Sequence, residues 1–399
     1  MLIDRYLNNA IQKDLKNKMV FLGGPRQVGK TTLVHRLSAD KFKKIVYLNW
    51  DDLLHRKRIL SQSFDPEAEL LIFDEIHKYA RWKNFIKGLY DIHKDYLKIL
   101  VTGSARLDIY RRGGDSMMGR YHYYRLHPLS VAELLGHSFN TNPFEKLKFS
   151  QSLEPESIRK FYSDLFDFGG FPEAFVNKDK VALRRFHLQR LDRLVREDIR
   201  DLSSIRDLSS LQIMAQMLPH KVGSLLSLNS IALDLSVNHN TIANWVETLD
   251  RFYYHFRIYP FQSKLFRALK KEPKLYLWDW SQIEDRANRL ENMVASGLLK
   301  MVHYLYDNQG YKAELFFLRE KQGREVDFLV TIDNKPWFMV EVKSTDQSIS
   351  SHLLYFQERL SAKGDKVPFA YQVVGESGVD LLKGTVRLIS ADKFLSGLI

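Results

Sequence analysis

The chain has 399 residues and no cysteine, and its 60 Lys and Arg against 48 Asp and Glu give a formal net charge of +12. That length suffices for roughly two or three domains with separate cores, and the lack of cysteine excludes disulfides and thiolate metal sites and suits a reducing cytoplasm. Apolar runs stay well short of the roughly 18–20 residues of a membrane span and the first residues lack a signal peptide's apolar core, so no membrane contact is expected, whereas the positive balance favours a polyanionic partner such as nucleic acid.

Ile3 to Lys16 reads as an amphipathic helix with Ile3, Leu7, Ala10, Ile11 and Leu15 on one side. Met19 to Leu22 is an apolar run ending in two glycines, as expected of a buried strand. Gly24, Gly29, Lys30 and Thr31 then fit G-x-x-x-x-G-K-[ST], the phosphate-binding loop. Side chains at the glycine positions would keep backbone N–H groups from wrapping a polyphosphate. Lys30 is placed to reach the β- and γ-phosphates, and the Thr31 hydroxyl to ligate Mg²⁺. Gly24, Pro25, Arg26, Gln27, Val28, Gly29, Lys30, Thr31 and Thr32 are therefore the expected ATP-binding residues. A helix from Lys30 to Leu37 adds its partly positive N-terminus to the anion site.

Lys44 to Asn49 is a second strand. Leu70-Leu-Ile-Phe-Asp74-Glu75 is an apolar strand ending in two acids, the Walker B form. It predicts Asp74 beside the metal and Glu75 as the group that polarises the attacking water. Trp82 to His93 is helical, Lys98 to Thr102 is a fourth strand running into Gly103-Ser104-Ala105, and Tyr121 to Leu126 is a fifth. Strand–helix alternation through residue 135 predicts a parallel α/β sheet covered by helices, with ligands at the carboxyl ends of its strands. Between the last two strands Arg106, Arg111, Arg112 and Arg120 crowd a glycine-rich segment. A cationic side chain is needed against charge developing on the γ-phosphate, often from a neighbouring subunit of a homo-oligomer, and Arg120 is the expected arginine finger or sensor.

Residues 136–156 are polar and broken by Pro143 and Pro155, which marks a linker. Helices over Ile158–Phe168 and Val181–Leu202 flank the turn Gly169-Gly-Phe-Pro172-Glu. The second mixes arginines with acids at helical spacing, which reads as an exposed or subunit-facing surface. Leu211–Leu218, Leu228–Leu235 and Asn240–Leu249 follow helix-turn-helix grammar, with the aromatic run Tyr253–Tyr259 as the hairpin of a winged helix. Asn240, Thr241 and Asn244 would lead its recognition helix, although that helix carries no Arg or Lys and such units also serve protein contacts.

Leu275 to Trp280 opens the last region, followed by a helix from Glu291. Leu315–Arg319, Glu325–Thr331 and Trp337–Lys343 read as strands, the last two joined by a turn at Asp333–Pro336. Asp327 and Glu341 then lie on adjacent strands, and Glu341 and Lys343 share a face. Two carboxylates and a lysine, with Glu291 as a third acid, suit metal-dependent phosphodiester hydrolysis with Mg²⁺ or Mn²⁺ held by Asp327 and Glu341 and Lys343 as the catalytic cation.

The segments GPRQVGKTTL, LLIFDEIHK, ILVTGSA, GRYHYYRLHPLSVAEL, FGGFPEAF, ENMVASGLL and REVDFLV…VEVK together resemble the prokaryotic predicted AAA+ superfamily ATPase family. Its members join an AAA-type domain to a C-terminal domain of unknown function with a core like that of PD-(D/E)XK endonucleases. The resemblance implies a polar γ-phosphate sensor at the tip of the fourth strand, for which Thr102 and Ser104 are candidates and Ser104 the preferred one. It implies an α/β chain with a P-loop AAA+ sheet at 1–136, a helical lid or linker at 137–210, a winged-helix-like unit at 211–262 and an endonuclease-like domain at 263–399. The expected function is Mg²⁺-dependent ATP hydrolysis coupled to a DNA-directed C-terminal domain that cuts. An ATP-driven switch whose tail binds without cutting is the alternative, and a transcription regulator a third reading.

Overall fold

The computed structural model describes residues 3–39, 42–104, 107, 117–137, 139, 141–149, 155–200, 205–261, 271–345, 347–362 and 364–399. Arg106, Arg111 and Arg112 lie outside them.

Five strands in the first third of the chain pair in parallel: β1 (Met19–Gly23), β2 (Ile45–Asn49), β3 (Leu70–Asp74), β4 (Lys98–Gly103) and β5 (Tyr121–Arg125), in the order β2-β3-β4-β1-β5. Their apolar runs are continuous because both faces are covered. Val20, Leu22, Leu70 and Ile72 face a core completed by helices Asn8–Asp14 and Lys30–Ala39. Met19, Phe21, Leu71 and Phe73 face the other, with Trp82, Ile86 and Leu89 of helix Trp82–His93. The order sets β4 between β3 and β1, so the tips of all three strands open on one edge. That edge holds the predicted loop.

Eight further strands form a mixed sheet: β6 (His255–Pro260), β7 (Lys274–Leu277), β8 (Ala313–Arg319), β9 (Glu325–Ile332), β10 (Lys335–Lys343), β11 (Phe369–Val374), β12 (Asp380–Lys383) and β13 (Val386–Ser390), ordered β12-β13-β11-β10-β9-β8-β6-β7. The predicted β9–β10 hairpin forms through Asp333 and Asn334, both at positive φ (50° and 64°), as its tight turn requires. One expectation is corrected here. The aromatic run read as a winged-helix hairpin is β6, which pairs antiparallel with β7 and parallel with β8 inside this sheet. His255, Phe256 and Ile258 are buried, and the strand is tied both to this sheet and to helix His239–Arg251, through His255 on the Val246 carbonyl and Arg257 on Glu247 and Asp250. A boundary at 262 therefore cuts through one sheet.

Helices Leu208–Met217, Leu228–Leu235 and His239–Arg251 precede β6. The last turns Ile242, Trp245, Val246 and Leu249 inward and leaves Asn240 and Asn244 exposed. A single apolar core runs from Leu129 to Ile399 and joins these helices to the second sheet. Across it lies a 24-residue helix, Arg286–Gln309, much longer than the Glu291–Leu299 segment readable from periodicity. No described helix is long and apolar enough to cross a membrane.

Candidate functional site

The loop after β1 has the conformation its glycines allow. Gly24 sits at φ 151°, and a Cβ there would lie 2.5 Å from the Leu126 carbonyl oxygen, so a side chain is excluded by both conformation and space. Lys30, the first residue of the helix, is buried, and its Nζ donates to the carbonyls of Gly24 and Pro25, each at 2.9 Å. Burial lowers the Lys30 pKa against the pull of Glu75 and Asp74. The ammonium is thus held at the mouth of the loop by weak neutral acceptors that a phosphate oxygen outcompetes.

Asp74 ends β3 directly opposite. Its Oδ2 accepts from the Thr31 hydroxyl at 3.1 Å and from the Tyr47 hydroxyl at 2.5 Å, and its Oδ1 accepts from Thr102 at the tip of β4. Thr31 and Asp74, the predicted metal pair, are therefore in contact. Two hard oxygens from adjacent elements are the donor type that a Mg²⁺ ion takes. Glu75 follows in the left-handed conformation (φ 56°), its N–H bonded to the Thr102 carbonyl at 3.1 Å. Burial, with the Asp74 charge, raises the Glu75 carboxyl to about 7 despite Lys30. Ser104, the preferred sensor, is buried one step further along with its hydroxyl lacking a hydrogen-bond partner among the described residues. Thr102 makes the carboxylate contact instead.

Arg26 and Gln27 point away from the sheet, toward the helical segment. Arg26 binds Asp198 Oδ1 at 2.9 Å and Glu197 Oε2 at 2.8 Å, and Gln27 donates to Glu173 at 3.3 Å. Asp198 lies on the π-helical turn Leu194–Ile199 that continues helix Lys180–Arg193, and burial raises its pKa against the pull of Arg26. The charged face read as outward is thus partly an internal wall of the loop. Arg190 on the same helix is also buried, against Asp279. Val28 is buried, and Thr32 is exposed on the first turn.

Arg120 is not at this site. β5 runs parallel to β1 with Tyr121 opposite Met19, so Arg120 precedes the sheet's amino edge, about 15 Å of strand from the loop. Its guanidinium binds Asp91 at 2.7 Å. A sensor role toward its own loop is excluded by that placement.

In the second sheet the predicted acids do converge. Asp327 on β9 accepts from the Val342 N–H at 2.9 Å, next to Glu341 on β10, and Lys343 binds Glu341 at 2.8 Å. Glu291 reaches the same cluster from the long helix. Burial and the Asp327 charge push both Glu291 and Glu341 upward. Lys274, at the start of β7, is the residue that the sequence reading missed. Its buried Nζ lies 3.2 Å from Asp327 Oδ1, 3.4 Å from Glu291 Oε1 and 2.5 Å from Glu325 Oε1. Burial acts to lower its pKa, and the three carboxylates outweigh that and raise it. An ammonium thus sits where it offsets the charge of Asp327, Glu291 and Glu325. Among the described residues, no group of three or more His, Cys, Asp or Glu is arranged to hold a metal ion.

Comparison with known proteins divides the chain three ways. Residues 16–135 match the family described as AAA domain, and residues 159–283 and 287–393 match two domains of unknown function, DUF8612 and DUF4143. The second of these matches keeps β6 and β7 with the helices that precede them. The uncharacterized protein MJ1544 of Methanocaldococcus jannaschii is 25% identical over 361 residues, covering 84% of this chain and 77% of the relative. Among solved structures, the Aeropyrum pernix ORC1 protein in complex with DNA aligns with TM-score 0.33 at 13% identity, over 74% of this chain and 93% of its own. Thermotoga maritima RuvB aligns with TM-score 0.34 at 18% identity, over 68% and 96%. The five-stranded parallel sheet, with its glycine-bearing loop after the first strand and paired acids after the third, is the part of the chain that is similar to the AAA domain family, over residues 16–135.

Proposed function

We propose that this chain binds ATP with Mg²⁺ at the β1–β3–β4 edge, hydrolyses it there, and uses the cycle to act on a nucleic-acid-directed C-terminal half. The observation that carries the reading is the contact between Thr31 and Asp74, with Glu75 and Lys30 beside it. When bound, Mg²⁺ supplies charge neutralisation on the β- and γ-phosphates. Thr31 and Asp74 hold it. Lys30 leaves the Gly24 and Pro25 carbonyls for phosphate oxygens. Glu75, as the carboxylate, orients the attacking water and takes up its proton, and Thr102 and Ser104 sense the γ-phosphate. Asp198 and Glu197 hold Arg26 across the loop until phosphate competes for it.

The net charge of +12 supports a polyanionic partner for the chain as a whole. The spacing of Asp327, Glu341 and Lys343 resembles that of PD-(D/E)XK endonucleases, and the Lys274 ammonium on Asp327 and Glu291 favours a tail that binds without cutting. We place the working units at 1–136 for the ATPase core, whose last stretch is the strap onto the second unit, and beyond it in a helical and mixed-sheet half built mainly on one core.

The test incubates the protein with supercoiled, linear and single-stranded DNA and Mg²⁺ or Mn²⁺, with and without ATP, beside Lys30→Ala and Glu341→Ala. The account expects ATP binding that Lys30→Ala abolishes and DNA retention without cleavage. Cleavage lost in Glu341→Ala would instead assign nuclease chemistry to the tail. Normal ATP turnover in Lys30→Ala would remove the site assignment.

A further inference from the structure

Arg5 precedes every motif in the chain, yet it is buried beneath the phosphate loop. Its guanidinium makes three directed contacts. Nη1 donates to the carbonyl of Val28 at 2.8 Å, Nη2 donates to the carbonyl of His127, and Nε donates to Glu133 Oε1 at 2.9 Å. Val28 lies directly before Gly29 and Lys30, so this fork sets the loop at the point where it turns into the helix. Nη1 also lies 3.4 Å from where a Gly29 Cβ would be.

The other oxygen of Glu133 accepts from Lys300, whose Nζ also donates to Ser130 Oγ at 2.9 Å and to the Pro128 carbonyl at 3.3 Å. Lys300 belongs to the long helix Arg286–Gln309 of the C-terminal half. Two more residues at helical spacing on that face grip the same strap. His303 Nδ1 meets His127 Nε2 at 2.8 Å, and Asp307 takes Arg125 in a two-pronged pair with both contacts at 2.9 Å. The strap 125–133 is therefore clamped on one side to the loop, through Arg5 and the Leu126 N–H to Gly23 O bond of 2.8 Å, and on the other to the helix. Nine residues back from Lys300, about 14 Å along the same helix, stands Glu291 of the acid cluster.

The Arg5–Glu133, Lys300–Glu133 and Arg125–Asp307 contacts are buried and charge-assisted, and the last is bidentate, the class that loses most when one partner shifts. A helix transmits an axial or rotational displacement along its length because its hydrogen bonds are internal. Coupling through such an element is physical only where both sites bias it. Here the loop bears on it through Arg5 and Glu133, and the acid cluster through Glu291.

We propose that Arg5 is a positioning residue of the ATPase site, fixing the Val28 carbonyl and, through Glu133 and Lys300, tying the phosphate loop to the helix that carries Glu291. Nucleotide binding is thereby felt at the C-terminal acid cluster within one chain. This rests on the ATPase reading above.

The test uses the full chain. Hydrogen exchange is followed in peptides covering the loop and covering residues 286–309, with and without ATP, in a Glu75→Gln background that stops turnover, with Lys300→Met added in a second protein. Arg5→Lys, which keeps the charge and loses the fork, is assayed for ATP affinity and turnover, and thermal melting checks that each variant folds. We expect ATP to slow exchange in both peptides, Lys300→Met to abolish the change in the helix while keeping it in the loop, and Arg5→Lys to weaken ATP binding by roughly fivefold or more. Asp380→Asn, a remote pair in the same half with Arg387, leaves all of this unchanged. Protection of the loop with none in the helix, or wild-type affinity in Arg5→Lys, would overturn the proposal. Failure of ATP to protect the loop at all would overturn the ATPase reading instead.

Discussion

Glu75 and Lys274 illustrate how environment decides what a charged side chain does. Glu75 is a carboxyl raised to about 7 by burial and by Asp74, close to the operating pH of a general base. It works only deprotonated, and its pKa is raised, so activity is lost as pH falls. The account predicts that kcat/KM for ATP rises about tenfold per pH unit below 7 and levels above it. A flat profile from pH 6 to 8 would deny Glu75 that role. Lys274 is the opposite case, a buried ammonium compensated by Glu291, Glu325 and Asp327. Lys274→Met removes the cation that these acids share and should cost about 3–5 kcal/mol in denaturant unfolding at pH 7, and less at pH 4, where Glu291, pushed up to about 7 by burial, is protonated. The loop, Asp74 and Glu75 were legible in the sequence because their spacing along the chain is dictated by the phosphate. Lys274, Tyr47, Arg5 and Asp198 were not, because each acts on a partner 27 or more residues away across a fold not yet known.

The strands of the first sheet were legible almost to their ends, since runs such as Leu70–Asp74 are apolar throughout and bounded by polar turns, whereas helix Leu53–Leu60 was not expected and the first helix is Asn8–Asp14 rather than Ile3–Lys16. The turn at Gly169-Gly170-Phe171-Pro172 was visible as a motif without a reason. The structure supplies one: a Cβ on Gly170 would lie 2.6 Å from the Leu129 carbonyl oxygen and 2.7 Å from the Trp280 ring, so this turn packs directly on the strap and on Trp280. Gly170→Ala should therefore destabilise the protein by about 1–3 kcal/mol, read as a shift in the denaturation midpoint. An unchanged midpoint would show that the neighbours yield. β6 was misassigned because an aromatic run with strand period suits a wing and a sheet equally, and only its partners β7 and β8 decide. Residues 344–399 were expected only as the end of the C-terminal domain, with no elements assigned, and the described ones include helix Ser351–Ala362, β11 to β13 and helix Ala391–Ser396.

At the scale of the molecule, the ATPase domain and the C-terminal half meet through buried charge, in the Arg125–Asp307 and Lys300–Glu133 pairs, as well as through apolar packing. That architecture suits an ATPase whose state is read by its own tail. A positive chain that binds nucleic acid mainly through phosphates should lose affinity steeply as salt rises from 50 to 200 mM, measured by fluorescence anisotropy with short DNA. Affinity insensitive to salt would contradict the electrostatic argument. The claim on which the rest depends is hydrolysis at the β1–β3–β4 edge, and it is tested most directly by ATP binding and turnover on the same preparations of wild type and Glu75→Gln. The account predicts binding retained within about threefold and turnover reduced by roughly a hundredfold or more in the variant. Turnover equal to wild type in Glu75→Gln would contradict it.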